Sequence, residues 1–416
     1  MLESMPTSAP EQPIELDITN VAHGGVFIAR HEGRVVFVSD AIPGEKVLAR
    51  VTDARKKKFW RAETVEVIEP SEHRREHVWR EASIDRDPAE RAGGAEFGHI
   101  ELAHQRALKH RVLSEAFEKF AGAAAPAFEV EPVAGDDERG GLGWRTRVRL
   151  HVDAEGRMGP YASRSHTVVP VESLPLATPR LAELIELDAL VEGAASIDLI
   201  DPSGSEPLLC VGSDDLAAAG TVIERVGDRE FTVDAGGFWQ VHRGATATLT
   251  EAVQSAIDGA LLDPRAENLD LYGGVGLLTA AVHDRFGESV RMTTVESDAA
   301  ATRHARRNLA SGEAVTARVD RYLAGLLDDR TAVERRAFRD ATVVLDPPRS
   351  GAGTEVTAQL AQLAPAQIVY VACDPVALAR DAGAFAASGY RLTGLRAFDL
   401  FPHTHHVEAV ASFERD

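Results

Sequence analysis

From residue 231 onward the chain alternates strand-like with helix-like runs, and that rhythm leaves few folds open. GATATLTEAVQSAIDGALL has helical spacing, ENLDLY reads as a strand, GLLTAAVHDRF as a helix, VRMTTVE as a strand and DAAATRHARRNLASG as a helix. VTARVD, ATVVLD and QIVYVA continue the strands, and TEVTAQLAQLA and PVALARDAGAFAASG the helices. RLTGLRAFDLF and HVEAVASFER close the chain as a final pair. Such alternation implies the α/β class, with a doubly wound, Rossmann-like and mainly parallel sheet. Ligands of these sheets sit outside the carboxyl ends of the strands.

The N-terminal part follows a different period. Between residues 13 and 70, IELDITNVA, GGVFIAR, GRVVFVSD, EKVLARVTDA and FWRAETVEVIE alternate apolar and polar residues, with glycine or proline between them. Five short strands in so few residues predict a small barrel of the oligonucleotide-binding type. Residues 1–12 read as a disordered tail. Residues 71–230 are expected to form a β-rich central α+β domain, from the strands GWRTRVRLHVD, SIDLID, EPLLCVG, TVIERVG and EFTVD. Its helices are HIELAHQRALKHRVLSEAFEKFAG (99–122), a candidate to pack on the next domain, and one near TPRLAELIELDALVEG. Residues 231–416 are the doubly wound domain. Division into several units is what 416 residues require, since single cores stop growing near roughly 250–300 residues.

A net charge of −20 excludes a protein whose whole surface coats nucleic acid. The charge is uneven, however. All six lysines lie in the first 119 residues, and from Gly24 to Ala62 nine Lys/Arg stand against four Asp/Glu. In 55-RKKKFW-60, Arg55, Lys56, Lys57 and Lys58 sit beside two aromatics, a pattern suited to phosphates and stacked bases, although a solvated basic face has the same look. Arg145 and Arg147 of the central domain are further candidate RNA contacts. The two cysteines can build neither a disulfide framework nor a four-thiolate metal site. No basic, apolar leader opens the chain and no apolar run approaches about 20 residues, so a cytoplasmic protein is expected.

Five places carry candidate chemistry. In 270-DLYGGVGLLTAA-281, Gly274 and Gly276 let backbone approach a ligand where a helix begins. Glu296 ends the next strand, 20 residues after Gly276, where a carboxylate can bind ribose hydroxyls. Thr279 replaces the third glycine of a dinucleotide fingerprint, which tilts the reading toward S-adenosylmethionine (SAM). In 346-DPPRSGAG-353 two prolines hold Asp346 at a strand tip; a tight turn is the plain alternative. Cys373 directly follows QIVYVA, at the strand end just before a helix, where a thiolate is stabilised, yet free cysteines also fill strand ends as core residues. Glu408 opens an otherwise apolar strand, where a carboxylate is costly unless functional or paired. His403, His405 and His406 nearby lack the spacing to a fourth ligand, so no metal is expected and polar contacts to RNA are the better reading. Gln240, in 236-GGFWQVHRG-244, is an amide able to clamp a ligand, while packing accounts for Phe238 and Trp239. Cys210 reads as structural.

Taken in order, FWQ, DLYGGVG, the VE strand end, DPPRSGAG, YVACDPVALARD and FPHTHHVE resemble the RNA 5-methyluridine (uracil-C5) methyltransferase family. The basic barrel resembles the TRAM domain of some members. The resemblance implies a class I SAM methyltransferase domain, with Gln240, Tyr272, Glu296 and Asp346 at positions that hold SAM and Asp320, ending VTARVD, reaching the adenine side. It makes Cys373 the nucleophile that adds to uracil C6 and Glu408 the base that removes the C5 proton. The family often carries an iron–sulfur cluster, but Ala92-Gly93-Gly94-Ala95 stands at its CGGC element and Leu174 at a later cysteine, so no cluster is expected. FWQVH and ACDP also replace FFQ-x-N and SCNP. The expected substrate is a uridine of 23S rRNA, with no obligate protein partner. The rival substrate is the tRNA T-loop; a rival of another class is a non-catalytic RNA-binding protein on a methyltransferase fold, and the joint presence of Cys373, Glu408, Asp346 and the glycine loop weighs against it. A cytosine-5 methyltransferase would want a second cysteine that Cys210 does not supply.

Overall fold

Alternating apolar residues give each N-terminal strand one buried face, and five such faces close on one another. The computed structural model describes residues 12–328, 331 and 337–416, so the expected tail lies outside the described residues except for Gln12. Strands β1 (Ile14–Ala22), β2 (Val26–His31), β3 (Arg34–Ser39), β4 (Lys46–Asp53) and β5 (Phe59–Glu69) form a closed barrel in the order β1-β2-β3-β5-β4. Closure removes the exposed edges that open sheets must otherwise protect. Phe97, Ile100 and Leu108, from beyond the barrel, join Phe27, Val36 and Val47 in its apolar cluster and so fasten it to the segment that leads into the central domain. The basic run forms the β4–β5 loop: Lys56, Lys57 and Lys58 are exposed, and Arg55 is tied back to Asp53 at 2.7 and 3.0 Å.

The chain then contributes β6 (Val130–Pro132) to a later sheet before building the central domain. There β7 (Arg147–Val152), β8 (Met158–Gly159), β9 (Ser196–Ile200) and β10 (Leu208–Val211) form a sheet of order β10-β9-β7-β8. A separate hairpin pairs β11 (Thr221–Val226) with β12 (Arg229–Asp234). The helix expected in TPRLAELIELDALVEG covers only Pro179–Ala182; Leu184, Ile185 and Leu187 pack on the central cluster without it.

Beyond residue 231 the strands are β13 (Asn268–Leu271), β14 (Met292–Glu296), β15 (Glu313–Thr316), β16 (Thr342–Leu345), β17 (Gln367–Ala372), β18 (Tyr390–Asp399) and β19 (Glu408–Arg415). The sheet order is β15-β14-β13-β16-β17-β19-β18-β6. The first five run parallel, whereas β19 is antiparallel to both β17 and β18. Every residue of β13, β16 and β17 is buried, as in a parallel sheet covered on both faces. Helix α1 (Leu102–Ala116) and β6 belong to this unit: Leu113, Ala116 and Val130 share one core cluster with Leu269, Tyr370 and Phe385. The packed unit therefore begins before the boundary expected at 231. A three-residue edge strand has too little periodicity to announce itself. The helices flanking the sheet include α2 (Ala245–Ala256), α3 (Leu277–Phe286), α4 (Ala299–Asn308), α5 (Val319–Asp328), α6 (Gly353–Leu363) and α7 (Pro375–Ala387). No described helix is long and apolar enough to cross a membrane.

Candidate active site

The antiparallel register of β17 and β19 pairs Ala372 with Ala409. Cys373 and Glu408 are the next residues beyond that last pair, and the charge of Glu408 acts on the thiol. Asp346 leaves the tip of the neighbouring β16, its N–H donating to Leu271 O at 3.2 Å. Burial and then the charges of Glu408 and Asp346 push the Cys373 thiol up to about 12. Glu408, 3% exposed, is held well above the usual carboxylate range by burial first and Asp346 second. At Cys373 both effects work against the thiolate that a helix start is expected to stabilise. Asp374, moreover, already caps α7, accepting from Val376 N at 3.0 Å and Ala377 N at 2.8 Å. The exposed Arg349 opposes both shifts and donates to His406 Nε2 at 3.4 Å. Asp374 also meets His23 of the barrel at 3.2 Å, so the barrel reaches the residue beside the thiol.

Two strands away lies a group of carboxylates. Asp270 accepts from Thr279 N at 3.1 Å and Thr279 Oγ1 at 2.8 Å, while its second oxygen is buried without a partner among the described residues. Burial pushes Asp270 and Asp346 up to about 7, and the charge of Asp270 adds to the rise of Asp346. Glu296 accepts from Gly274 N at 3.2 Å and Asp298 N at 2.7 Å, tying the glycine loop to the end of β14. Gly274 has φ 54°, and a Cβ there would meet only open space. Gly276 precedes α3 with φ 94°. Tyr272 adopts φ 61°, a left-handed conformation that costs an L-residue about 1–2 kcal/mol. Its hydroxyl is pushed up to about 12, by burial first and Asp320 second. An unpaired buried oxygen and facing carboxylates suit a cationic ligand, and SAM carries both a sulfonium and an ammonium.

Several expectations need correction. Asp320 does not end a strand: β15 stops at Thr316, and Asp320 lies in the first turn of α5, gripped by Arg318 at 3.0 and 2.9 Å. Packing explains Trp239 but not Phe238, which is 78% exposed beside the half-buried Gln240. Arg147 turns inward, donating to Ala235 O at 3.0 Å and Gly237 O at 2.8 Å and pairing with Glu224. It braces the turn that leads to Gln240, so its guanidinium is engaged within the protein. Arg145 is half-buried, with Nε donating to Arg147 O at 3.1 Å. His403 is a strut: Gln105 Nε2 donates to its Nδ1 at 3.0 Å, and its Nε2 donates to Gly140 O at 2.8 Å.

Some supports were missed altogether. Lys109 Nζ donates to Asp399 Oδ1 at 2.5 Å and to Phe401 O at 3.0 Å, so α1 holds the connection that leads to Glu408. The one signal was Gln105 and Lys109, two polar residues spaced i,i+4 on a helix face that is buried. Asp381 accepts from Ala352 N at 2.8 Å and Tyr370 Oη at 2.7 Å, fixing the loop after Asp346. Among the described residues no three His, Cys, Asp or Glu group together as a metal site. Ala92, Ala95 and Leu174, where the cluster cysteines would stand, share one apolar cluster with Trp79 and Trp144 and offer no donor.

Residues 11–65 match the TRAM domain, and residues 246–416 match the family described as tRNA (Uracil-5-)-methyltransferase. The 23S rRNA (uracil(1939)-C(5))-methyltransferase of Alkalilimnicola ehrlichii is 30% identical, over 98% of this chain and 98% of its own. The chain belongs to the RNA uracil-C5 methyltransferase family. An uncharacterised RNA methyltransferase of Streptomyces avermitilis is 38% identical over 96% of this chain and 98% of its own. Among solved structures, the Pyrococcus abyssi tRNA (uracil-54, C5)-methyltransferase bound to S-adenosyl-L-homocysteine shares the fold, with a TM-score of 0.67 at 21% identity over 96% of this chain and 99% of that one. This uracil-C5 methyltransferase is thus SAM-dependent, acts on RNA and carries a TRAM barrel ahead of its catalytic sheet.

Proposed function

We propose that this methyltransferase forms 5-methyluridine in 23S rRNA, with Cys373 as nucleophile and Glu408 as base. The observation that supports the proposal is the β17–β19 register, which ends at Ala372 and Ala409 and so brings Cys373 and Glu408, the next residue on each side, to one end of the pair. Uracil C5 is a poor nucleophile. Addition of the Cys373 thiolate to C6 turns the ring into an enolate whose C5 can take up a methyl group. SAM supplies that methyl as an electrophile. Glu408 then removes the C5 proton, and the thiolate leaves. Asp270, Glu296 and Asp346 would hold the cofactor, with Gln240, Tyr272, Gly274, Gly276 and Asp320 around it. Lys56, Lys57 and Lys58 would meet RNA phosphates. The assignment to 23S rRNA is supported by the activity of the Alkalilimnicola relative.

Asp270→Asn and Glu296→Ala should each weaken S-adenosylhomocysteine binding about tenfold, roughly 1.4 kcal/mol, in calorimetric titration. Unchanged affinity in both would remove these carboxylates from the cofactor site. The RNA target is tested by mapping 5-methyluridine by mass spectrometry in a strain lacking this protein. The mark should vanish from one position in 23S rRNA and persist in tRNA; loss from the T-loop alone would transfer the assignment to tRNA.

A further inference from the structure

Away from the catalytic edge, a recess of about 460 Å³ opens where the barrel, residues 77–96 and the central sheet meet. Its size suits a small organic ligand. His405, three residues before Glu408, lines it. Gly25 of the barrel packs so closely on that ring that a Cβ there would lie 2.9 Å from Nδ1. The recess therefore borders the connection that carries the catalytic base.

Its wall on the central domain is aromatic. His151 and Tyr161 stack with ring centroids 3.6 Å apart and planes 8° from parallel, and both line the recess. The backbone of Tyr161 is fixed from behind, since Gly93 N donates to Tyr161 O at 3.0 Å. A Cβ at position 93 would meet that oxygen at 2.8 Å, which by itself explains a glycine there. Arg164 lines the same space, exposed and at φ 57°, with no hydrogen bond or ion pair among the described residues. It feels the charges of Glu63, Glu96 and Asp40, which also line the recess, without contacting them. Arg61, just beyond the Lys56–Lys58 loop, acts on it as well, so the basic face of the barrel leads here.

Asp40 is already paired with Arg91 at 2.8 Å and Glu96 with His405 at 3.6 Å, which leaves Glu63 as the carboxylate without a cation among the described residues. A stacked aromatic pair, an unpaired guanidinium and the Glu63 carboxylate call for a ligand with a flat ring, an anion and N–H donors. A nucleotide has all three, whereas phosphate alone leaves the rings and acids unused. We propose that this recess is a second nucleotide pocket, which takes one unstacked amino-bearing base of the RNA substrate against Tyr161 and His151, with its phosphate on Arg164. Adenine, cytosine or guanine fits the open Glu63 carboxylate better than uracil does, because each has an exocyclic amine to donate. Seating that base beside the 400–407 connection pulls the strand away from its own stacking and presents the neighbouring uridine to Cys373. The inference rests on the RNA substrate of the proposed function, but not on which RNA it is.

The test uses full-length protein saturated with S-adenosylhomocysteine, which closes the cofactor site to nucleotides. Short single-stranded RNAs containing uridine and 5-iodocytidine are photocrosslinked to it and the adducts mapped by mass spectrometry. The crosslink should fall on the Met158–Arg164 peptide. Tyr161→Ala should abolish it and weaken RNA binding about tenfold, as loss of one base stack does, while Tyr161→Phe retains both. Arg164→Glu should weaken binding about tenfold and flatten its salt dependence. Crosslinks confined to other peptides, or wild-type binding by Tyr161→Ala and Arg164→Glu, would overturn the pocket. If Tyr161→Ala does not fold, Arg164→Glu at its exposed position decides by itself. A missing crosslink with an intact Cys373 adduct on 5-fluorouridine RNA sinks only the pocket; an intact crosslink without that adduct sinks only the Cys373 chemistry.

Discussion

Cys373→Ala should form no covalent adduct with RNA containing 5-fluorouridine and should lose roughly 10⁴-fold or more of its methylation rate. Fluorine at C5 cannot be removed as a proton, so wild-type protein stops with the base still attached to sulfur. Glu408→Gln should instead accumulate the methylated adduct on ordinary RNA, because addition and methyl transfer precede proton removal. Its turnover should fall by about 10²–10⁴, the usual worth of a positioned base. Denaturing gels resolve both species. An adduct formed by Cys373→Ala as readily as by wild type would end the assignment. The thiol also dictates a pH profile. Burial, Glu408 and Asp346 hold it up to about 12, so its thiolate fraction grows with every step toward alkaline pH. Adduct formation in a single turnover should therefore rise about tenfold per pH unit between about pH 6 and pH 9. Glu408, raised in the same direction, also gains its basic form as pH rises. A flat profile would mean that the thiol is already ionised before RNA binds.

Lys109→Met should be the most destabilising single substitution argued from this fold. Lys109 and Asp399 are both almost wholly buried, and removing the cation strands a carboxylate with no water to solvate it. Breaking such a pair costs about 3–5 kcal/mol, whereas replacing both partners by apolar residues is often neutral. Thermal unfolding should show a drop of several degrees for Lys109→Met and recovery of most of it in Lys109→Met/Asp399→Leu. A single variant as stable as wild type would show that the pair carries no weight. Methylation should suffer too, since the same ammonium holds Phe401 O and thereby the connection to Glu408.

The parts of this protein that were legible in its sequence are those governed by short-range rules. Period-two alternation exposed the barrel strands, whose bounds at Ile14–Ala22 and Phe59–Glu69 lie within a residue or two of the apolar runs. Buried strands followed by glycine or proline exposed the carboxyl edge of the sheet, and with it Glu296, Asp346, Cys373 and Glu408. What stayed hidden depends on partners far along the chain. Lys109 meets Asp399 across 290 residues, and β6 joins β18 by pairing Val130 with Ala397. Arg147 is named from sequence as a candidate RNA contact; the direction of its side chain is set by the 235 and 237 carbonyls it meets only after folding.

By itself, the sequence determined the class of fold, the order of the units and which side chains stand at the ends of the central strands. Those features come from residue periodicity and backbone constraints that act over a few positions. Only the tertiary structure decided how these side chains behave. The register of β17 on β19 brought Cys373 and Glu408 to the same end of the strand pair, and Asp374, by capping α7, took up the N–H groups that a thiolate would have used. Burial among other carboxylates then pushed the thiol up and disfavoured its thiolate. Ionisation depends on solvent exclusion and on charges brought together from distant segments, and neither exists until the chain has folded.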